Sequence, residues 1–448
     1  MDIRTKQPNI IIIIADTMRR DALSVYNNRI STPSVDLFSK DSIIYNNAVA
    51  PAPWTIPSHV SLFSGKYASE HKIHEDEHVK DLGLNVAMNY NKFQTIAELL
   101  SIDGYNTMGI SANVNIVPGS GFDRGFNNFY YSKNAYYNII KNYLIRNNAV
   151  VSSDKIDRSD KKFKIIRTLF KEEGLNGLKR LYDLSALFKN KYDGFYYDKG
   201  GIITIDHIEN SSFKSPFFLF LNFIEMHEPF IKNDPSGANL GLKSLLGYKQ
   251  INSKIKMNIK KQYFDRSHLF DYYFGRLIKF LKYNNIYDNT IIILTSDHGQ
   301  QLYENNYYGH GIYLTDELIR IPLIIKLPGN IHKIDNQVIG LTDLKEFIIN
   351  DSPDFHSHNE FVYSESYGIS TDTSYVKDLD GYADRKKDVD VRRKAIISND
   401  YKMVINQNGY VEELKHKGKQ VNVDDNKETI KKLREELDVF IGNEKFYN

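Results

Sequence analysis

The sequence predicts an α/β fold: a mostly parallel central sheet sandwiched by helices, followed by a smaller C-terminal α+β subdomain. Strands that are covered on both faces are continuous runs of apolar residues, and helices separate them along the chain. Four runs of this kind end in polar or turn residues: NIIIIIAD (Asn9–Asp16), PFFLFLNFIEMHEP (Pro216–Pro229), NTIIILTSDHG (Asn289–Gly299) and IRIPLIIKLPG (Ile319–Gly329). The stretches Phe93–Ile102 and Phe264–Tyr283 between them have helical patterns.

Beyond about residue 330 the pattern changes. Arg393–Leu414 reads as antiparallel hairpins joined by Asn/Asp and Asn-Gly turns, and a charged helix is expected at Lys427–Phe440. We therefore predict an α/β domain at 1–335 and a C-terminal subdomain at 336–448. Residues of about 130–197 are rich in Tyr, Lys and Asn and interrupt the α/β rhythm, so they form either a helical cap inserted into the first domain or a peripheral bundle.

Composition narrows the class of protein. The 448 residues carry 58 basic and 56 acidic side chains, a net charge of +2, which gives no global field for nucleic acid or an anionic membrane. The chain has no cysteine, which excludes disulfides, thiolate metal sites and cysteine nucleophiles. The apolar run Ile10–Ala15 is far too short to span a bilayer, and the first residues lack the apolar core of a signal peptide. We expect a cytoplasmic protein without a transmembrane segment.

One loop is built to present a hydroxyl group. In PAPWTIPSHVSLFSGKY, three prolines stiffen the chain around Thr55, which occupies the position of a helix N-cap. The residues after Pro57 have a helical pattern that stops at Gly65. A residue held this rigidly at the start of a helix is either a simple cap or a reactive group.

Polar residues end two of the apolar runs. Asp16 closes the first, and Asp297 and His298 close the third. In open α/β sheets the carboxyl ends of the strands hold the ligand site. Two carboxylates and an imidazole delivered to that edge predict a divalent-metal site.

Four ordered segments together resemble sulfatases and their relatives in the alkaline phosphatase superfamily. The order and spacing match from about residue 8 to 330, and more weakly to about 425. The segments are PNIIIIIADTMRRDAL, TPSVDLFSKDSIIYNNAVAPAPWTIPSHVSLFSGKY, SDHGQQLYENNYYGHGIYLTDELIRIPLII and DYKMVINQNGYVEEL.

The resemblance implies roles for residues at the matching positions. It makes Asp16, Asp297 and His298 metal ligands, and it places Thr55 at the nucleophile position, where its oxygen also touches the metal. Three histidines fall in the same pocket. His310 lies where sulfatases often place a lysine or histidine against the ester oxygens, His227 resembles another histidine of that pocket, and His59 replaces the arginine that usually closes the sulfatase nucleophile motif.

The nucleophile departs from the sulfatase pattern. Sulfatases carry cysteine or serine there, which a modifying enzyme converts to formylglycine, whereas oxidation of a threonine side chain gives a ketone. Superfamily phosphodiesterases and phospho-alcohol transferases use threonine, which forms a phospho-threonine intermediate. We therefore expect a metal-dependent hydrolase of phosphate mono- or diesters acting through Thr55. The alternatives are a sulfuric ester hydrolase, a transferase that moves a phospho-alcohol group to a glycan, and an inactive binding protein that keeps the fold.

The metal site departs from the pattern as well. Many sulfatases begin with two adjacent aspartates, whereas Thr17 follows Asp16 here, and His298 stands where many have Asn or Gln. One carboxylate fewer and one imidazole more favours Zn or Mn over Ca or Mg. The segment around His227 lacks the D-x-x-G-H form expected of a two-metal phosphodiesterase, so we expect one divalent ion. The substrate expected is a small-molecule, glycan-linked or lipid-linked phosphate or sulfate ester.

Overall fold

A computed structural model describes residues 7–74, 92–132, 198–230, 238–350, 360–369 and 376–447. The interruption that the sequence places at about 130–197 lies almost wholly outside these residues. Its expected role as a cap stays a prediction.

The described residues form fifteen strands, of which four lie in the predicted apolar runs and three in the region of the predicted hairpins. Their bounds are β1 Asn9–Ala15, β2 Ile43–Val49, β3 Asn106–Ser111, β4 Asn128–Tyr131, β5 Phe217–Phe223, β6 Thr290–Thr295, β7 Gln301–Leu302, β8 Tyr308–Gly309, β9 Leu323–Lys326, β10 Lys333–Gly340, β11 Val362–Ser366, β12 Arg393–Ile397, β13 Tyr401–Asn406, β14 Val411–His416 and β15 Lys419–Gln420.

Helices separate the strands and cover the sheet. Their bounds are α1 Pro33–Ser39, α2 Thr55–Ser64, α3 Ala68–His71, α4 Ile96–Ile102, α5 Gly201–Glu209, α6 Ala238–Leu245, α7 Ser253–Tyr283, α8 Asp316–Ile319, α9 Asp343–Ile349, α10 Tyr382–Lys386 and α11 Lys427–Ile441. Both predicted central helices are present, and the second begins earlier than expected because the side chain of Asn252 caps it by accepting from the N–H of Ile255. Among the described residues, no helix is both long and apolar enough to cross a membrane.

The large sheet has the strand order β10-β2-β9-β6-β1-β5-β3-β4. Its centre is parallel, with β1 between β5 and β6, and β3 beside β5. The sheet is mostly parallel, as predicted, and β9, from the fourth apolar run, is an exception because it is antiparallel to both β2 and β6. The chain passes through β7, β8 and α8 before it enters β9. Burial on both faces makes an antiparallel strand as apolar as a parallel one, so hydrophobicity alone does not give its direction.

Side chains of β1 show why the apolar runs are continuous. Ile10, Ile12 and Ile14 pack in the core on one face of the sheet, whereas Ile11 and Ile13 pack in the core on the other face. Successive strand residues point to opposite faces, so a strand with a core on each side has no solvent-facing position. The central strands are therefore rigid supports for whatever follows their carboxyl ends.

The C-terminal residues form a second sheet, which is antiparallel and has the order β11-β12-β13-β14-β15. The hairpins predicted between Arg393 and Leu414 are confirmed by the pairing of β12, β13 and β14. The final helix α11 packs on this sheet through Leu433 and Leu437. The main sheet continues through β10, which crosses the expected division at residue 335, and the domain limits remain a prediction.

Candidate active site

The ends of β1 and β6 bring the predicted metal ligands together. The two strands are parallel neighbours. Asp16 comes directly after β1, and one residue separates β6 from the pair Asp297 and His298, so the three side chains lie beside each other. One ligand atom from each of the three lies within 4.8 Å of the others. The N–H of Thr17 donates to Asp297 Oδ1 at 3.2 Å and ties the two strand ends together. The three predicted ligands form one buried cluster.

Thr55 projects into this cluster from the first turn of α2. Its Oγ1 lies 3.3 Å from His298 Nε2, and the residue is 3% exposed. Thr55 is the first helical residue and Trp54 is the N-cap, so the prediction that Thr55 occupies the N-cap is wrong by one position. The helix ends at Gly65, whose left-handed φ of 70° suits glycine. The hydroxyl thus lies at the positive end of a helix dipole.

Two buried carboxylate oxygens in the cluster, Asp16 Oδ1 and Asp297 Oδ2, have no hydrogen-bond partner among the described residues. Burial, followed by repulsion from Asp297, raises the pKa of Asp16 to about 8. Burial also raises the pKa of Asp297 to about 7, although backbone N–H groups donate to it. Two buried carboxylates that lack counter-charges fit a divalent cation, which would satisfy the bare oxygens and relieve their repulsion.

The imidazole of His298 is oriented for a ligand role. Its Nδ1 donates to the carbonyl oxygen of Gly299 at 2.8 Å, which leaves the Nε2 lone pair facing Thr55 and Asp297. Burial and the neighbouring imidazole of His310 hold the pKa of His298 well below its ordinary value. Gly299 is required at its position because a Cβ there would lie 2.0 Å from the carbonyl oxygen of Glu317.

His59 lies behind the cluster. Its Nδ1 donates to the Thr55 carbonyl oxygen at 2.9 Å and lies 3.5 Å from Asp297 Oδ2, and its Nε2 accepts from Asn222 at 2.9 Å. The ring is fully buried, and burial lowers its pKa to about 4. A neutral imidazole with both nitrogens engaged inside the core supports Thr55 and Asp297. The contacts therefore favour a positioning role over contact with substrate.

His227 and His310 lie together on the outer side of the cluster. Their ring centroids are 5.1 Å apart, and the centroid of His310 is 4.7 Å from that of His298. His310 Nδ1 donates to Gln300 Oε1 at 2.9 Å, and burial lowers its pKa to about 4. The flanking Gly309 and Gly311 have φ values of 136° and 93°, which suit glycine.

A cavity of about 430 Å³ opens beside His227. His227 and Glu228 line one side of it, Asn113 lines another, and Lys199 and Ile203 also contribute. Its lining mixes polar and apolar groups, and its volume suits a small organic group. A leaving group bound there would lie next to the metal-ligand cluster.

Three residues of the site were missed by the sequence reasoning. Asn113 Nδ2 donates to Asp16 Oδ2 at 2.6 Å, Gln300 orients His310, and Glu228 Oε2 lies 3.6 Å from His227 Nδ1. A signal was available for each: Asn113 follows the end of β3 as Asp16 follows β1, Glu228 adjoins His227, and Gln300 follows the Asp-His-Gly segment.

A helix-borne hydroxyl beside two carboxylates and an imidazole at the strand ends is an arrangement that suits an ester hydrolase with a divalent metal. The chain belongs to the sulfatase family, whose model, described as Sulfatase, matches residues 8–350. An arylsulfatase from Clostridium perfringens (strain 13 / Type A) is 24% identical over 372 residues, covering 75% of this chain and 73% of that protein. The resemblance stated from the sequence motifs is confirmed, and members of this family generally bind a divalent metal.

Solved structures of two chemical classes share the fold. A 2-O GAG sulfatase superposes with a TM-score of 0.63 at 15% identity, covering 97% of this chain and 92% of that one. A phosphonate monoester hydrolase of Agrobacterium radiobacter superposes with a TM-score of 0.61 at 16% identity, covering 96% of this chain and 94% of that one. The predicted α/β sandwich is confirmed.

Proposed function

We propose that the protein is a metal-dependent hydrolase that cleaves phosphate mono- or diesters through a phospho-threonine at Thr55. The observation that carries this proposal is Thr55 Oγ1 at the N-terminus of α2, 3.3 Å from His298 Nε2 and beside the two bare carboxylate oxygens. Asp16, Asp297, His298 and Thr55 would hold the ion, with Zn or Mn the better match to this donor set. A divalent ion bound there supplies positive charge that favours the Thr55 alkoxide and neutralises ester oxygens.

The residues of the chain account for the rest of the reaction. Thr55 Oγ1 gives up its proton and forms a bond to phosphorus while the bond from phosphorus to the leaving oxygen breaks, and the leaving oxygen takes up one proton, so that the alcohol departs without a net change in protons. The N–H groups at the start of α2 and the imidazoles of His227 and His310 face the developing negative charge. Water then gives up a proton and attacks phosphorus, the bond from phosphorus to Thr55 Oγ1 breaks, and this oxygen takes up a proton. The products are phosphate from a monoester or a phosphate monoester from a diester, and the Thr55 hydroxyl is restored.

The pocket chemistry supports threonine as the direct nucleophile. His59 holds the Thr55 carbonyl oxygen, so the first turn of α2 is fixed and little freedom remains to be lost at the transition state. The nearby cavity is large enough for an ester's leaving group. A phosphonate monoester hydrolase with the same fold supports phosphorus chemistry in this architecture.

Sulfate ester hydrolysis is the second candidate, because the similar protein from C. perfringens is named an arylsulfatase. In that reaction Thr55 would attack sulfur directly, since its side chain cannot become formylglycine. Transfer of the phosphoryl group to an alcohol acceptor in place of water is a variant of the first proposal. Matched 4-nitrophenyl phosphate, bis(4-nitrophenyl) phosphate and 4-nitrophenyl sulfate separate these activities.

Substitution of Thr55 tests the proposal. Thr55→Ser keeps the hydroxyl and should retain measurable phosphoesterase activity, whereas Thr55→Ala should lose about a thousandfold or more in kcat. Thr290→Ala is a matched control, because this buried threonine donates to Ile286 at the opposite end of a central strand. Mass spectrometry after quenching with a slow phosphodiester should find phosphate on the Thr55 peptide. Sulfate turnover that survives Thr55→Ala, without phosphate turnover, would refute the mechanism.

A further inference from the structure

We propose that the surface formed by α6, the start of α7 and the turn between them binds the headgroup layer of an anionic bilayer. Six side chains define this lysine surface: Lys243, Lys249, Lys254, Lys256, Lys260 and Lys261. Acidic residues make up 56 of the 448 residues, about one in eight, yet none occurs in residues 235–264. The near-neutral net charge of the whole chain therefore conceals a local excess of positive charge, which attracts anionic headgroups.

The fold gathers these lysines on one surface. The N–H of Lys249 donates to the carbonyl oxygen of Lys243 at 3.2 Å, so the turn after α6 brings these two residues together. Ser244 of α6 donates to the Asn306 carbonyl oxygen at 3.2 Å, and Lys256 of α7 donates to the Asn306 side chain at 2.8 Å. Asn306 thus joins the two helices, and the lysines of α6 and of the first turn of α7 belong to one surface.

Two acidic side chains offset part of this charge. Lys261 pairs with Asp265 at 2.7 Å. Lys260 lies 3.5 Å from Glu304, which also pairs with Arg19 at 2.9 Å. In the part of the chain that the structure describes, four lysines have no carboxylate within ion-pair distance: Lys243, Lys249, Lys254 and Lys256. The lysine surface therefore keeps a net positive charge that an anionic partner can neutralise.

Exposed apolar side chains among the lysines favour a bilayer over a soluble polyanion. Met257 is 69% exposed and Ile255 is 41% exposed, both in the first two turns of α7. The face of α7 that packs in the core uses other residues, such as Ile259 and Tyr263. A bilayer surface takes up both lysine charges and apolar side chains, whereas a soluble polyanion offers a partner only to the charges.

The lysine surface adjoins the segment that carries His310. A Cβ added to Gly241 would lie 1.8 Å from the carbonyl oxygen of Tyr308, so α6 packs directly on β8. Strand β8 ends immediately before His310. A bilayer bound at the lysine surface would therefore lie close to the candidate active site. The inference goes beyond the proposed function, because docking on a bilayer does not depend on which ester is cleaved at Thr55.

Vesicle cosedimentation measures this binding without turnover, so its failure and the failure of the Thr55 mechanism are distinguishable. The full chain is mixed with vesicles of equal parts phosphatidylcholine and phosphatidylglycerol, or of phosphatidylcholine alone. The wild type should sediment with the anionic vesicles and remain in solution with the neutral ones. The double substitution Lys249→Gln and Lys254→Gln should weaken binding about 25-fold, since each lysine near an anionic surface contributes about fivefold. Salt at about 1 M should release the protein, because it shortens the screening length to about 3 Å.

Two further variants act as controls. The double substitution Lys214→Gln and Lys419→Gln makes the same change in net charge at exposed lysines outside the lysine surface, and it should alter binding less than about twofold. Met257→Gln should weaken vesicle binding about three- to tenfold by removing apolar contact, without weakening the binding of poly-L-glutamate, a soluble polyanion. Far-UV circular dichroism establishes that each variant is folded.

Three results would overturn the proposal. The first is a wild type that does not sediment with the anionic vesicles, and the second is an equal loss of binding in the two double variants. The third is full vesicle binding by Met257→Gln together with tight binding of poly-L-glutamate by the wild type, which would identify a soluble polyanion as the partner.

Discussion

Asp297→Asn should make the metal-free protein more stable, and it should remove metal binding at the cluster of Asp16, Asp297 and His298. Asn is isosteric with Asp, and its Oδ1 can keep the hydrogen bonds from the N–H groups of Thr17 and His298. Its Nδ2 would take the place of the bare Oδ2, 3.4 Å from His298 Nε2, where an N–H can donate. The substitution therefore removes a buried charge and leaves no new unpaired group.

The pKa of Asp297 sets the expected difference in the free energy of unfolding between the variant and the wild type. Its rise from the ordinary 3.8 to about 7 means that ionised Asp297 destabilises the metal-free fold by roughly 4 kcal/mol at pH 8. The folded state binds the proton more tightly than the unfolded state, so wild-type stability falls as the pH rises from about 4 to about 7. At pH 5 the penalty falls to less than half of that value, because most of the folded protein then carries the proton on Asp297. Most of the advantage of Asn over Asp should therefore disappear on going from pH 8 to pH 5.

Urea unfolding in the presence of chelator measures this difference, with fluorescence of the single tryptophan, Trp54, as the probe. Asp400→Asn is the control, since this residue lies exposed in the turn between β12 and β13. Added metal at about a hundredfold over its dissociation constant should stabilise the wild type by about 2.7 kcal/mol. This gain should be absent from Asp297→Asn. A variant less stable than the wild type at pH 8, or a difference that does not change with pH, would show that the carboxylates are not under the electrostatic stress inferred here.

Three further substitutions test the support of the site. Ile12→Ala, in a residue with 0% exposure at the centre of β1, should cost about 2–5 kcal/mol of unfolding free energy by urea titration, and a cost below about 1 kcal/mol would contradict the two-sided core. His59→Gln should lower kcat about 10- to 100-fold with little change in KM, because both nitrogens of His59 are engaged by protein groups and one of them holds the Thr55 carbonyl oxygen. A change confined to KM would contradict this positioning role. Burial opposes ionisation of Asp316, but its ion pairs with Lys402 and Lys415 hold its pKa below the ordinary value. The ionised carboxylate therefore stabilises the fold above about pH 4, and this contribution is lost as the pH falls. Thermal unfolding of Asp316→Asn should therefore depend less on pH between 5 and 3 than that of the wild type, and equal slopes would reject the role of this ion pair.

Much of the candidate site was predictable because its residues follow strands of obvious pattern. The run of isoleucines before Asp16 and the run before Asp297 have no solvent-facing position, so each had to be an interior strand whose carboxyl end presents the next polar residue. The three prolines around Thr55 marked a rigid approach to a helix. Local chemistry was therefore enough to nominate four of the residues that the structure brings together.

Other contacts were beyond sequence reasoning because they depend on distance in space. Asn113 and Asp16 are 97 positions apart along the chain, so the place of Asn113 after a strand does not by itself show that its amide meets that carboxylate. His59 was expected in the ester pocket, in place of the arginine of the nucleophile motif, and the structure places its ring inside the core between Thr55, Asp297 and Asn222. The direction of β9 could not be predicted from its sequence either, because an apolar run can pair with a parallel or an antiparallel neighbour.

The sequence by itself determined the kind of fold, the strand-end carboxylates and the threonine at the nucleophile position, because periodicity and turn chemistry act over a few residues. Only the tertiary structure decided which groups share a charge environment. It leaves the oxygens of Asp16 and Asp297 bare beside each other, and it brings Glu228 and His310 together beside them. The physical reason is that burial and Coulomb interactions depend on separation in space, which is fixed only when the strands pair and the loops at their ends converge.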